Sequence, residues 1–179
     1  MDELFKIAKH EGIIVETFPL QPPLYGVYLC QPGSKPVIGL SNVIATDRER
    51  RCIMAEELGH HFTTVGQCIP REFYHRNMRS NINRAEHKAM RWAAKHLIPK
   101  CRLIQAIESG ITTIWDLTEY FNVVEDILLF RLKLPDLQNF RQTYIAKHGT
   151  DWTGRVLFKG FARTYVLFEL LDTSFDLLV

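Results

Sequence analysis

Paired cysteines are missing from this chain of 179 residues. Cys30, Cys52, Cys68 and Cys101 stand singly. None has the C-x-x-C spacing of a zinc clip, so reduced thiols in a cytosolic protein are expected. A dominant charge is missing as well: 22 lysines and arginines against 20 aspartates and glutamates leave a net +2. That balance lends no support to a nucleic-acid role. The start, Met1-Asp2-Glu3-Leu4, lacks the basic residues and apolar run of a signal peptide. The apolar C-terminal stretch is interrupted by Lys159, Arg163, Glu169 and Asp172, which excludes a simple spanning helix. No internal repeat or low-complexity tract is visible. The expectation is a soluble, cytoplasmic protein with no membrane contact, and nothing in the sequence fixes its oligomeric state.

What is present is the material of a packed core. Hydrophobic residues make up 46% and charged residues 23%, and the length suits one domain, or one with a small appendage. Asp2 is suited to cap a short helix carrying Leu4, Phe5 and Ala8 at helical spacing, with Gly12 placed to end it. Three short runs follow, Ile13 to Glu16, Leu24 to Cys30 and Val37 to Leu40, separated by Pro22-Pro23 and Pro32-Gly33-Ser34. They predict a small antiparallel sheet, one edge of which could hold an extended peptide by strand addition.

Next comes a helix from about Thr46 to Val65. Thr46-Asp47-Arg48-Glu49 has the form of a capping box, and Ile53, Leu58 and Phe62 are expected to face a core. The stretch from Gly66 to Asn81, with Phe73, Tyr74, Arg76 and Arg79, reads as an exposed loop. A second long helix is expected from near Asn83 to Pro99, with Glu86, Ala89, Ala93 and Leu97 along one face. Beyond Pro99 the pattern is helical: Leu103 to Glu108, Thr113 to Phe121, Val124 to Leu134 and Asp136 to His148. The run Asp116 to Val123 has a helix–turn–helix look. The helix after it opens on Val124, Glu125 and Asp126, an acidic start that would face phosphate badly. A packing unit is the better reading of it, with no direct nucleic-acid contact. From Thr150 onward, Trp152, Val156, Phe158, Phe161 and Phe168 are dense enough to need a partner surface.

The chemistry gathers at Ala55-Glu56-Glu57-Leu58-Gly59-His60-His61-Phe62. On a helix Glu56 and His60 share a face, and Glu57 lies about 100° around the axis beside them. This is the H-E-x-x-H zinc-peptidase arrangement with its first histidine replaced by glutamate. Glu86, set among alanines on the next helix, would complete three protein ligands and leave a fourth position for water, as in catalytic zinc sites. Glu57 would then serve as general base. Plainer readings stand beside this one. Adjacent glutamates on a helix are usually solvated charges. Glu57 and His61 are also four apart, which allows a metal site displaced by one residue. His87 competes with Glu86 but would point about 100° away from that face.

With these pieces in view the chain resembles the ImmA/IrrE family of metallopeptidases. The likeness runs through Glu11-Gly12-Ile13, Leu24-Tyr25-Gly26-Val27-Tyr28, Ala55 to His61, and Glu86-His87-Lys88-Ala89-Met90-Arg91-Trp92-Ala93 with Leu97-Ile98-Pro99. It continues through Leu117 to Val123 and Arg131-Leu132. The resemblance implies an α+β, zincin-like core of N-terminal helix, small sheet and two active-site helices, followed by an all-helical part. On that basis residues 1–100 form a metallopeptidase-like domain, 101–148 a helical extension, and 149–179 an apolar segment with no assigned role. The family pattern is His-Glu-x-Gly-His with a downstream glutamate. It carries ligand roles onto His60 and Glu86, the general base onto Glu57, and the first ligand onto Glu56. The glutamate at that position is a departure shared by similar proteins from phages and integrated elements. Two carboxylates and one imidazole should acidify bound water less and suit harder ions such as manganese better than the usual set does. The implied activity is zinc-dependent cleavage of a helix–turn–helix repressor of a prophage or integrative element. The alternative is a non-catalytic regulator that binds the repressor on the same scaffold.

Overall fold

The computed structural model describes residues 2–63 and 79–148. The expectations for Cys68, the aromatic and basic residues between Gly66 and Met78, and the apolar stretch from Thr150 lie outside those residues.

Helix α1 (Asp2–His10) buries Leu4 and Ala8, while Phe5 turns outward. It closes on Gly12 at φ 68°. There Ile13 N–H donates to the Ala8 carbonyl and Gly12 N–H to that of Lys9, so a left-handed residue satisfies the last carbonyls. The chain then enters β1 (Ile14–Phe18), β2 (Gly26–Leu29) and β3 (Val37–Ser41).

The sheet is mixed, not antiparallel as expected. Its order is β1-β3-β2, with β1 parallel to β3 and β2 antiparallel to it. The reason lies in burial: Ile38, Gly39, Leu40 and Ser41 are all buried, so β3 takes the centre and the two more exposed strands flank it. Strand β2 lies at one edge of this sheet, with no partner strand on its far side among the described residues.

Helix α2 (Asp47–Thr63) begins at the expected capping box. Glu49 N–H donates to Thr46 Oγ1, and Thr46 N–H donates to Glu49 Oε2, each at 3.1 Å. Helix α3 (Arg79–Leu97) starts four residues earlier than predicted, so Arg79 to Asn81 are helix and not loop. The predicted stripe is there: Ala89, Ala93 and Leu97 are buried, and α3 packs along α2 in the most extensive contact between elements. Gly59 makes that approach close. A Cβ built there would lie 2.8 Å from the Ala89 Cα, and it would also meet the Ala89 carbonyl.

The remaining described helices are α4 (Lys100–Glu108), α5 (Ile114–Phe121), α6 (Glu125–Leu132) and α7 (Gln138–His148). A 3-10 turn at Pro135–Leu137 precedes α7. The helix–turn–helix-like run is a packing contact with α2. Arg51 donates to the Phe121 and Asn122 carbonyls, and Arg48 reaches Asn122 Oδ1 and Glu119. Val124 N–H points at Cys52 Sγ. One cluster of buried side chains runs from Leu4 and Ile38 through Met54 and Leu58 to Leu117, Leu128 and Leu137.

Candidate metallopeptidase site

Leu58 is fully buried under α2, which orients the rest of the motif. Ile53 is half-buried, and Phe62 departs from expectation. It is 41% exposed and stacks on Trp92, its ring centroid 4.9 Å away. The apolar face of α2 therefore ends before the last turn, where α3 covers Gly59 and His60 instead.

His60 is buried, and its Nε2 lies 3.3 Å from Glu86 Oε2. The predicted pairing between the two helices is thus present: an imidazole from α2 faces a carboxylate from α3. His87, the competitor, turns to Phe130, ring to ring at 5.1 Å.

Glu57 is buried on the side of α2 that faces the sheet. A Cβ on Gly26 of β2 would stand 2.6 Å from Glu57 Oε1, so the carboxyl occupies space that only a glycine leaves open. Burial pushes the Glu57 pKa up to about 8; the His60 imidazole pulls it down, while Glu56 and Glu86 push it further up. Glu56 is half-buried and acts on Glu57 through its charge.

His61 belongs to a different network. Its Nδ1 is 2.9 Å from the Tyr28 hydroxyl and its Nε2 is 3.7 Å from Glu11 Oε2. The arrangement is satisfied when Nε2 carries the proton toward the carboxylate and Nδ1 accepts from the phenol. Glu11 is held below the usual carboxylate range chiefly by its hydrogen bond to His10, with His61 contributing less. Both His61 nitrogens therefore face partners other than Glu57, which disfavours a metal site displaced by one residue.

The sequence reading did not assign roles to Tyr28, Gly26 or Glu11, although a signal existed. Residues two apart on a strand share a face, as do residues four apart on a helix. Gly26 and Tyr28 on β2 thus match Glu57 and His61 on α2, contact for contact.

Donor chemistry and charge fit a cation. The charges of Glu56 and Glu86 both raise the cost of ionising the buried Glu57, and the His60 imidazole lowers it. A divalent ion would offset that cost. Two of the proposed donors, His60 and Glu86, are already adjacent. Among the described residues, no three His, Cys, Asp or Glu side chains are gathered closely enough to hold a metal as they stand.

A motif helix carrying an imidazole and a buried glutamate, laid between a small mixed sheet and a second helix with a facing glutamate, is the scaffold of a metallopeptidase. The IrrE N-terminal-like domain of the M78 peptidases matches residues 8–133, and the chain belongs to that family. No curated protein and no solved structure matches it. Among the described residues no helix is long and apolar enough to cross a membrane.

Proposed function

We propose that this protein is a zinc-dependent endopeptidase of the cytoplasm that cuts a helix–turn–helix repressor of a prophage or integrative element and so releases its genes. One observation supports it most: in a chain of a metallopeptidase family, His60 and Glu86 meet at 3.3 Å beside a buried Glu57. His60, Glu86 and Glu56 would hold the ion. When bound, it supplies Lewis acidity toward water and the scissile carbonyl.

The chain's own groups do the rest. Glu57 in its ionised form takes a proton from the attacking water onto its carboxylate and passes it to the leaving nitrogen as the C–N bond breaks. Its burial keeps that carboxyl free of competing solvent. The edge of β2, which has no partner strand on its far side among the described residues and begins at the residue abutting Glu57, is suited to receive an extended substrate by strand addition. Glu56 adds negative charge to the donor set, so manganese is the expected substitute for zinc.

The reading is tested by metal analysis of the purified protein and by incubation with the repressor encoded beside its gene. One metal ion per chain and a defined cut support it. A second reading has its own support: Glu56 stands where the family pattern has histidine, and no ready-made three-donor group exists among the described residues. Tight repressor binding by a metal-free protein that makes no cut would favour a non-catalytic regulator.

A further inference from the structure

Strand β2 faces α2 with alternate residues: Gly26 meets Ile53 and Glu57, and Tyr28 meets His61. At Gly26 a Cβ would stand 2.6 Å from Glu57 Oε1, 3.1 Å from Glu57 Cγ and 2.5 Å from Ile53 Cγ2. The distances to Glu57 Oε1 and Ile53 Cγ2 are shorter than such atoms tolerate, and that to Glu57 Cγ is tight. One helical turn further on, the Tyr28 hydroxyl reaches His61 Nδ1 at 2.9 Å, with the rings edge to face. The phenol fixes the spacing of strand and helix at the point where the glycine allows it to be close. Tyr28 is itself buried, and the contact with the half-buried His61 is partly shielded from water.

We infer that Gly26 is a positioning residue for the proposed reaction: its missing side chain gives the Glu57 carboxyl its place, and the Tyr28–His61 contact holds β2 at that distance. The inference rests on the proposed hydrolase for its catalytic consequence, though not for its geometry. Glycine inside a strand is ordinarily a weakness that alanine repairs. Here the sign reverses, because a methyl at residue 26 must displace both the carboxyl and the Ile53 methyl.

A stability cycle tests the geometry without substrate. Urea midpoints are measured for wild type, Gly26→Ala, Glu57→Ala and the double variant, with Ile53→Ala, which removes the Cγ2 methyl, as a second background. Gly26→Ala should lower the midpoint, and Glu57→Ala should remove part of that loss, the rest belonging to the Ile53 methyl. A loss unchanged by Glu57→Ala, or removed in full by Ile53→Ala alone, overturns the inference. So does a Gly26→Ala protein as stable as wild type. If Gly26→Ala does not fold, soluble folded double variant supports the inference and an unfolded one overturns it.

In a preparation that cuts its repressor, Gly26→Ala should lower kcat on the order of 100-fold, as a displaced catalytic group does. KM and bound zinc should stay near wild type. Tyr28→Phe should move kcat in the same direction by less. Wild-type kcat in Gly26→Ala counts against the positioning role. If wild type cuts nothing, the proposed function is what fails, and the urea cycle still decides the geometry.

Discussion

His60 Nε2 and Glu86 Oε2 stand 3.3 Å apart across the contact of α2 and α3, where Gly59 lets the two helices close on Ala89. The helix contact and the site are therefore one feature: what brings the backbones together also brings the donors together.

Metal retention should follow those donors. The wild-type protein is expected to carry one ion per chain by elemental analysis, and His60→Ala and Glu86→Ala to lose it. Stoichiometric metal in His60→Ala would contradict the ligand set.

Glu57→Gln should abolish repressor cleavage, by at least about 100-fold, while far-ultraviolet circular dichroism stays that of wild type. Its thermal midpoint should equal or exceed wild type, because the amide removes a buried carboxyl that Glu56 and Glu86 both oppose. Full activity in this variant would remove the mechanism.

Gly59→Ala offers a test of the helix contact. In an exposed helix, alanine would be the better residue by about 1 kcal/mol. Against the Ala89 backbone it should instead cost roughly 1–3 kcal/mol through overpacking. Denaturant unfolding that shows a gain in stability would mean the helices are not in contact there. Metal affinity should fall alongside, since α3 must shift away with Glu86.

Acid sensitivity should trace to the buried Arg131. Its Nε donates to the Ile98 carbonyl, and its two terminal nitrogens donate to the Asp136 carboxylate at 3.0 and 2.9 Å. Partial burial disfavours the Asp136 charge, but the hydrogen bonds and charge of Arg131 prevail, with help from Lys95, and hold its pKa below the ordinary 3.8. A carboxylate whose pKa is lower folded than unfolded stabilises fully above the unfolded value. That stability is lost as pH falls from 3.8 through the folded value. Asp136→Asn should cost about 3 kcal/mol at neutral pH, the low end for stranding a buried charge. Its deficit against wild type should shrink below about pH 4, as read by urea midpoints across pH.

Local order was legible in the residues themselves. The reciprocal bonds of Thr46 and Glu49, the left-handed close at Gly12, and the buried line Ala89–Ala93–Leu97 that presents Glu86 all arise within a few residues of chain. Backbone sterics and helical period fix such features before any tertiary contact forms. The grouping of His60 with Glu86 followed from two such faces and the alanines that let them meet.

Only the folded chain decided the rest. Strand order depends on which run is buried on both sides, and neighbouring runs in sequence say nothing of that, so β3 fell between β1 and β2. Phe62 lies at the exposed margin of the contact between α2 and α3, stacked on Trp92 and not in the core. The meeting of Tyr28 with His61, of Gly26 with Glu57, and of Arg131 with Ile98 joins residues about thirty positions apart. The sequence by itself determined the helices, their caps and the residue types of a metallopeptidase motif, because those are short-range consequences of covalent geometry and spacing. Tertiary packing alone decided which side chain faces which, because that is set by the space left when separate elements are pressed together.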